Sequence, residues 1–137
     1  MKVLVIDGMG GGIGRAIAEG LCGISGIDVI AVGTNSIATS AMIKVGAKAA
    51  ATGENAVIYN AQKADYIVGV IGIIAANSMH GEISPKMAEA VSMSSAHKIL
   101  IPTDKCAISI AGAGTKPLQA YIDAVIEEIK NASIQKN

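Results

Sequence analysis

Aromatic side chains are almost missing from this chain. Among 137 residues there are three Tyr, no Trp and no Phe. The bases of single-stranded nucleic acid stack on such rings, so that mode of recognition is not expected. Charge is also scarce. Asp, Glu, Lys and Arg make up 16% of the residues, and eleven cations balance eleven anions. Without a basic excess or a polybasic run, the chain offers no complementary surface to a phosphodiester backbone or an anionic bilayer. The two cysteines, Cys22 and Cys106, are too few for a disulfide framework. With two scattered histidines, they also lack the spacing of a zinc site, and no metal is expected. The longest apolar run, Ile67–Ala76, falls well short of the roughly 20 residues a bilayer-spanning helix needs. Met1–Ile6 reads as a strand and not as a leader, so the expected setting is cytoplasmic.

What remains is rich in Ile, Val, Ala and Gly, with hydrophobic residues at 51%. Such a composition suits a sheet covered on both faces. It also leaves a sparsely charged surface, part of which is expected to be buried in a homodimer or a higher homo-oligomer. The length fits one domain over residues 1–130, followed by a polar tail, 131–137, expected to fray.

The pattern alternates strand with helix. Lys2–Ile6 (KVLVI) is a continuous apolar run, as in a strand buried on both faces. Arg15–Ile24 has helical spacing at Ile17, Leu21 and Ile24. Further strands are expected over Asp28–Val32, Ala47–Ala51, Tyr66–Ile71 and Lys98–Ile101, with a sixth edge strand over Ala107–Ile110. Helices are expected over 37–45, 56–63, 84–93 and 118–129. In the 84–93 helix Ser84 is the cap and Pro85 the first residue. Strand–helix alternation at this spacing means right-handed crossovers and a parallel sheet. The expected fold is therefore a three-layer α/β/α, Rossmann-like domain of about five strands in the order 3-2-1-4-5.

Asp7–Gly14 (DGMGGGIG) joins the first strand to the first helix. Glycine at Gly8, Gly10, Gly11, Gly12 and Gly14 permits a sharp turn and lets a phosphate reach the main chain without meeting a Cβ. The helix behind it aims its free amides and its positive dipole end at the anion. The spacing Gly8-x-x-x-Gly12-Ile13-Gly14 resembles the glycine motif of short-chain dehydrogenases and departs from strict G-x-G-x-x-G. The resemblance ends near residue 35. A NAD site usually has an acidic residue after the second strand for the ribose hydroxyls. Here the residues are Gly33-Thr34-Asn35-Ser36, which suit either a ribose or a 2′-phosphate with Arg15 or Lys44 nearby. NADP or NAD is thus the cofactor type the turn suggests, with Gly8, Gly10, Gly11, Gly12, Ile13 and Gly14 on phosphate. Tyr59-x-x-x-Lys63 matches the catalytic pair of those dehydrogenases, but it comes too early in too short a chain and is read as coincidence.

Ligands of open α/β sheets sit outside the carboxyl ends of the strands, where strand order reverses. The turns expected there carry Thr34 and Asn35, then Thr52, Glu54 and Asn55, then Asn77–Glu82, then Thr103–Cys106. Asn77 is a candidate ligand contact. Glu54, His80 and Glu82 are the candidate acids or bases, each with a plainer alternative. Glu54 would simply complement a helix dipole, and His80 and Glu82 would sit in solvent. Cys106 beside Lys105 is a candidate thiolate or an incidental thiol. His97 precedes a strand on the far edge of the sheet and is read as structural.

DGxGGGIG, GTNSIATSAM, ATGENAVIYNA, IGIIAANSMHGEISPKMAEA and KILIP together resemble a family of short bacterial proteins, found mainly in clostridia-like anaerobes and known as a domain of unknown function. The resemblance covers the chain to about Pro117. It implies a stand-alone cytoplasmic α/β protein and carries no activity with it. Three functions therefore stay open. One is a nucleotide- or dinucleotide-binding module with a phosphate-bearing small molecule as partner. Another is a small enzyme acting on a phosphorylated metabolite. The third is a regulatory or assembly protein whose glycine turn is purely structural.

Overall fold

Buried β-branched runs separated by helices dictate the architecture. The computed structural model describes residues 1–136. Its strands are β1 (Lys2–Asp7), β2 (Asp28–Gly33), β3 (Ala49–Thr52), β4 (Tyr66–Val70) and β5 (His97–Ile101). Its helices are α1 (Gly12–Leu21), α2 (Ser36–Ile43), α3 (Glu54–Ala61), α4 (Pro85–Met93) and α5 (Leu118–Lys136), with 3₁₀ turns at Ile71–Ile74 and Asp104–Cys106. All strand pairs are parallel, and the order is β3-β2-β1-β4-β5. This is the Rossmann-like arrangement expected from the sequence.

Alternation along β1 divides the core into two layers. Val3 and Val5 pack with Ile17 and Leu21 of α1, Met42 of α2, and Ile122, Val125 and Ile129 of α5. Leu4 and Ile6 face the other way, onto Val57 and Ala61 of α3 and Met87 and Val91 of α4. A fully buried Ile, Leu or Val side chain contributes about 1.5–3 kcal/mol of transfer free energy. The core therefore rests on many aliphatic contacts and needs no aromatic anchor.

Three expectations shift. The first helix starts at Gly12, ahead of Arg15, because a side chain from β1 caps it, as described below. No sixth strand forms among the described residues. Ala107 adopts a left-handed φ of 54°, and residues 111–120 are all exposed, so the chain after β5 leaves the sheet edge as a loop. The frayed tail is replaced by helix over residues 131–136. The stripe Ile122, Val125, Ile129 continues at helical spacing to buried Ser133, and Lys136 reaches Asp65 at 3.6 Å. Asn137 lies outside the described residues.

The chain winds from β1 through β2 to β3, then crosses back through α3 to β4. Strand order thus reverses between β1 and β4. The crevice at their carboxyl ends lies between the glycine turn and the segment that follows β4, the position where such sheets hold ligands.

Candidate functional site

Asp7 is the last residue of β1 and is only 6% exposed. It is the one charged side chain in an otherwise apolar strand interior. A buried carboxylate needs donors, and the turn supplies them. Oδ1 accepts from the Gly8 amide at 2.8 Å and Oδ2 from the Gly14 amide at 2.5 Å. Gly14 stands at the third position of α1, so Asp7 acts as its N-cap from seven residues upstream. The residue in the N-cap position, Gly11, has no side chain to do so and takes a left-handed φ of 76°. The approach requires glycine at 14, since a Cβ there would lie 2.5 Å from the Asp7 Cβ.

A second carboxylate arrives from the other side of the crevice. Between β4 and α4 the chain makes a closed loop. Asn77 N–H donates to the Ile83 carbonyl at 2.7 Å, and Ile83 N–H returns to the Ser78 carbonyl at 3.2 Å. Asn77, Met79 and His80 are all non-glycine residues at left-handed φ (65°, 56° and 55°), the kind of costly backbone that concentrates at functional sites. This loop carries Glu82 to the end of β2. Its Oε1 accepts from the Thr34 hydroxyl at 2.5 Å, the Asn35 Nδ2 at 2.7 Å and the Met9 amide at 3.2 Å. Asn35 ties three elements together: Nδ2 also donates to the Met9 carbonyl at 3.0 Å, while Oδ1 caps α2 by accepting from the Ala38 amide at 2.9 Å. Met79 lies over Gly8, where an added Cβ would come within 2.8 Å of its sulfur.

The two acids are driven apart. Burial pushes the Asp7 carboxyl above the usual range, the Gly14 and Gly8 amides pull it back, and the charge of Glu82 raises it again. Glu82 is held below the usual range, chiefly by the Thr34 hydroxyl, with Asn35, Met9 and the charge of His80 adding to it against some desolvation. A carboxylate held ionised by three donors is a poor proton acceptor at neutral pH.

The turn is therefore half occupied by the protein itself. Gly8, Met9 and Gly14 donate to carboxylates, and Gly11 N–H donates to the Gly8 carbonyl at 3.0 Å. Among the described residues no acceptor meets the amides of Gly10, Gly12 or Ile13. Gly10 and Gly12 are exposed, with open space where a Cβ would project. Gly12 and Ile13 form the first two positions of α1, where the helix dipole favours an anion.

Beside Ile13 a cavity of about 550 Å³ opens under the loop that follows β5. Ile101, Ile108 and Tyr121 give it apolar walls, and Lys105 and Lys116 bring two cations. The turn Thr103–Cys106 was expected at this end of the sheet, but residues 108–116, which complete the cavity, carry no motif that signals it. Asp7 was legible in principle, as a lone acid ending a buried strand.

The other candidates fall elsewhere. Glu54 heads α3 and accepts from the Ser84 hydroxyl at 2.6 Å, which joins the starts of α3 and α4. His80 is exposed. The Asn77 side chain is exposed and makes no hydrogen bond among the described residues, so the residue acts through its backbone. Cys106 packs its sulfur against Gly72. His97 stacks edge-on against Tyr66 with centroids 5.6 Å apart, at the amino-terminal edge of the sheet. Tyr59 and Lys63 border a hollow with Lys2 at that same edge, with the ammonium 4.5 Å from the ring centroid. No group of three or more His, Cys, Asp or Glu among the described residues could hold a metal. No helix among them is long and apolar enough to cross a membrane.

The model of a family described as a domain of unknown function, DUF3842, matches residues 2–134. No curated protein matches the chain in sequence. The fold is similar to that of a dodecameric FMN-dependent UbiX-like decarboxylase from Escherichia coli O157:H7. The TM-score is 0.54 and the identity 13%, over 96% of this chain and 94% of that one. It is also similar to AibC, with a TM-score of 0.50 and 16% identity, over 96% of this chain and 39% of that one. At such identities the likeness is one of fold.

The carboxylate clasp has a pH signature. Glu82 has a folded-state pKa below its unfolded value, so its contribution is full above the usual carboxylate pKa and is lost as pH falls through the folded value. Glu82→Ala is expected to lower stability at pH 7 by about 1–2 kcal/mol, the scale of hydrogen bonds to an ionised acceptor. In urea titrations of both proteins the difference should shrink below about pH 4. A pH-independent difference would mean that the ionised carboxylate is not what the clasp holds.

Proposed function

The chain belongs to the DUF3842 family, and we propose that it binds a phosphate-bearing ligand of the nucleotide class in the crevice between β1 and β4. The observation that carries this reading is the set of three unpartnered amides, Gly10, Gly12 and Ile13, at the open start of a ten-residue helix. Three amides suit one phosphate group. Gly8, Gly11 and Gly14 serve by shaping the turn, and Asp7 fixes it. The cavity beyond Ile13 is lined by Lys105 and Lys116 against the one acid Asp104, so it adds net positive charge on the side of the turn away from Asp7 and Glu82.

A dinucleotide of the NAD or NADP kind would lay its pyrophosphate along the whole turn. Here Met79 covers Gly8 and the protein's own carboxylates take the amides of Gly8, Met9 and Gly14. This favours a single-phosphate ligand. The FMN named for the UbiX-like decarboxylase is a cofactor of that size, and it heads the compounds to test on this chain.

The alternative of a small enzyme acting on a phosphorylated metabolite has weaker support, because Glu54 and Glu82 are held in structural hydrogen bonds. Self-association also belongs to the proposal. Ile37 on α2 and Met93 on α4 are 68% and 77% exposed in a chain with 16% charged residues, which suits a homo-oligomer, as in the dodecameric neighbour. A cytoplasmic setting fits the two free thiols.

FMN, AMP, NAD and NADP are the panel to titrate against the protein in thermal-shift assays. FMN or AMP is expected to raise the melting temperature by mass action. Gly12→Val adds a side chain into open space beside the anion position and should abolish the shift while the fold survives. A ligand response retained by that variant would remove the turn as the site. Sedimentation equilibrium should give a mass of at least two chains, and a monomer at high concentration would remove the assembly reading.

A further inference from the structure

In this class of fold an acidic residue at the end of the second strand usually accepts the ribose hydroxyls. This chain has Gly33-Thr34-Asn35-Ser36 at that point, with no acid. The structure nevertheless places a carboxylate there, because the β4–α4 loop delivers Glu82 onto Thr34 and Asn35. We infer that Glu82, arriving from a different loop, takes over that acidic role and sets the ligand specificity of the β2 side of the site: it accepts sugar hydroxyls and rejects a second phosphate. The inference rests on the phosphate site proposed above and concerns the ligand's other end.

Three observations carry it. The first is the division of labour within the carboxylate. Oε1 takes all three protein donors, at 2.5, 2.7 and 3.2 Å, and Oε2 takes none among the described residues. The carboxylate is thus held in place with one oxygen left to accept from a ligand. The second is position. Glu82 accepts from the Met9 amide and lies beside Gly8, so it borders the same turn whose next free amide is Gly10. A phosphate on Gly10, Gly12 and Ile13 would leave its sugar within reach. The third is charge. Asp7 stands behind Glu82 in the turn, and no lysine or arginine pairs with either carboxylate among the described residues, whose ion pairs are Lys48–Asp28, His97–Glu128 and Lys136–Asp65. A 2′-phosphate would meet negative charge that no lysine or arginine neutralises, with only the exposed His80 near Glu82, and like charges across a binding interface are a strong means of exclusion. Arg15 and Lys44, the cations that a 2′-phosphate would need, are both exposed and bond to neither acid.

The test compares AMP, 2′-deoxyadenosine 5′-monophosphate and adenosine 2′,5′-bisphosphate by isothermal titration of the full chain. The unsubstituted protein should bind AMP most tightly, lose about threefold or more with the deoxy compound, and lose about tenfold or more with the bisphosphate. Glu82→Gln keeps the shape and an acceptor for Thr34 while dropping the charge, so its preference against the bisphosphate should fall to within about threefold. If the unsubstituted protein binds the bisphosphate as well as AMP, or Glu82→Gln keeps the full preference, the inference fails and the phosphate site stands. If none of the three compounds binds, the phosphate site itself fails. The three-ligand comparison on the unsubstituted protein decides the matter even if the variant does not fold.

Discussion

A single buried carboxylate sets the shape of the crevice. Asp7 ends β1 with both oxygens on amides of the turn that follows, and the second of those amides belongs to α1. The helix can start at Gly12 because Asp7 caps it, and the cap can form because Gly14 has no Cβ to block the approach. Burying an acid costs free energy, which appears as a carboxyl pushed above its ordinary range. Two hydrogen bonds from the turn offset that cost and fix the turn relative to the sheet.

That constraint decides which amides are free. Without these acids the amides of Gly8, Met9 and Gly14 would also be open to a phosphate. Here Asp7 and Glu82 together take those three, the Gly8 carbonyl takes that of Gly11, and the amides left free are those of Gly10, Gly12 and Ile13. Glu82 is the less obvious member. It lies 75 positions beyond Asp7, yet Thr34, Asn35 and the Met9 amide hold it against the same turn, at the end of a loop with three left-handed non-glycine residues. The crevice is thus built as an anionic rim on the β2 side and a cationic, partly apolar cavity on the β5 side.

Much of the fold was legible in the residues. The apolar runs KVLVI, DVIAV and YIVGV can hardly be anything but buried strands, and their alternation with helical spacing leaves the parallel order 3-2-1-4-5 as the simplest topology. The edge element misread after β5, AISI, has the composition of a strand but is followed by Gly112 and Gly114 at positive φ, and it finds no pairing among the described residues. The tail was misread because its residues are polar, although Ser133 continues the buried stripe of α5. The site was legible only in part. Glycine content announces the turn, and Thr34-Asn35 announces a capped helix. Glu82 looked like one half of a solvated pair with His80, because nothing local in His80-Gly81-Glu82 signals three donors contributed by two other segments. Asp7 sat in plain view before the glycines, but its role as a cap depends on a through-space approach that spacing does not reveal.

On the proposed reading, the turn is divided between amides held by the protein and amides kept for an anion. Amide-resolved NMR of the ¹⁵N-labelled chain during titration with FMN tests it directly. The resonances of Gly10, Gly12 and Ile13 should move with added ligand, while those of Gly8 and Gly14, hydrogen-bonded to Asp7, hold their positions. Movement centred on Gly8 and Gly14 with Gly12 and Ile13 unchanged, or a turn that does not respond to any phosphate ligand, would contradict it.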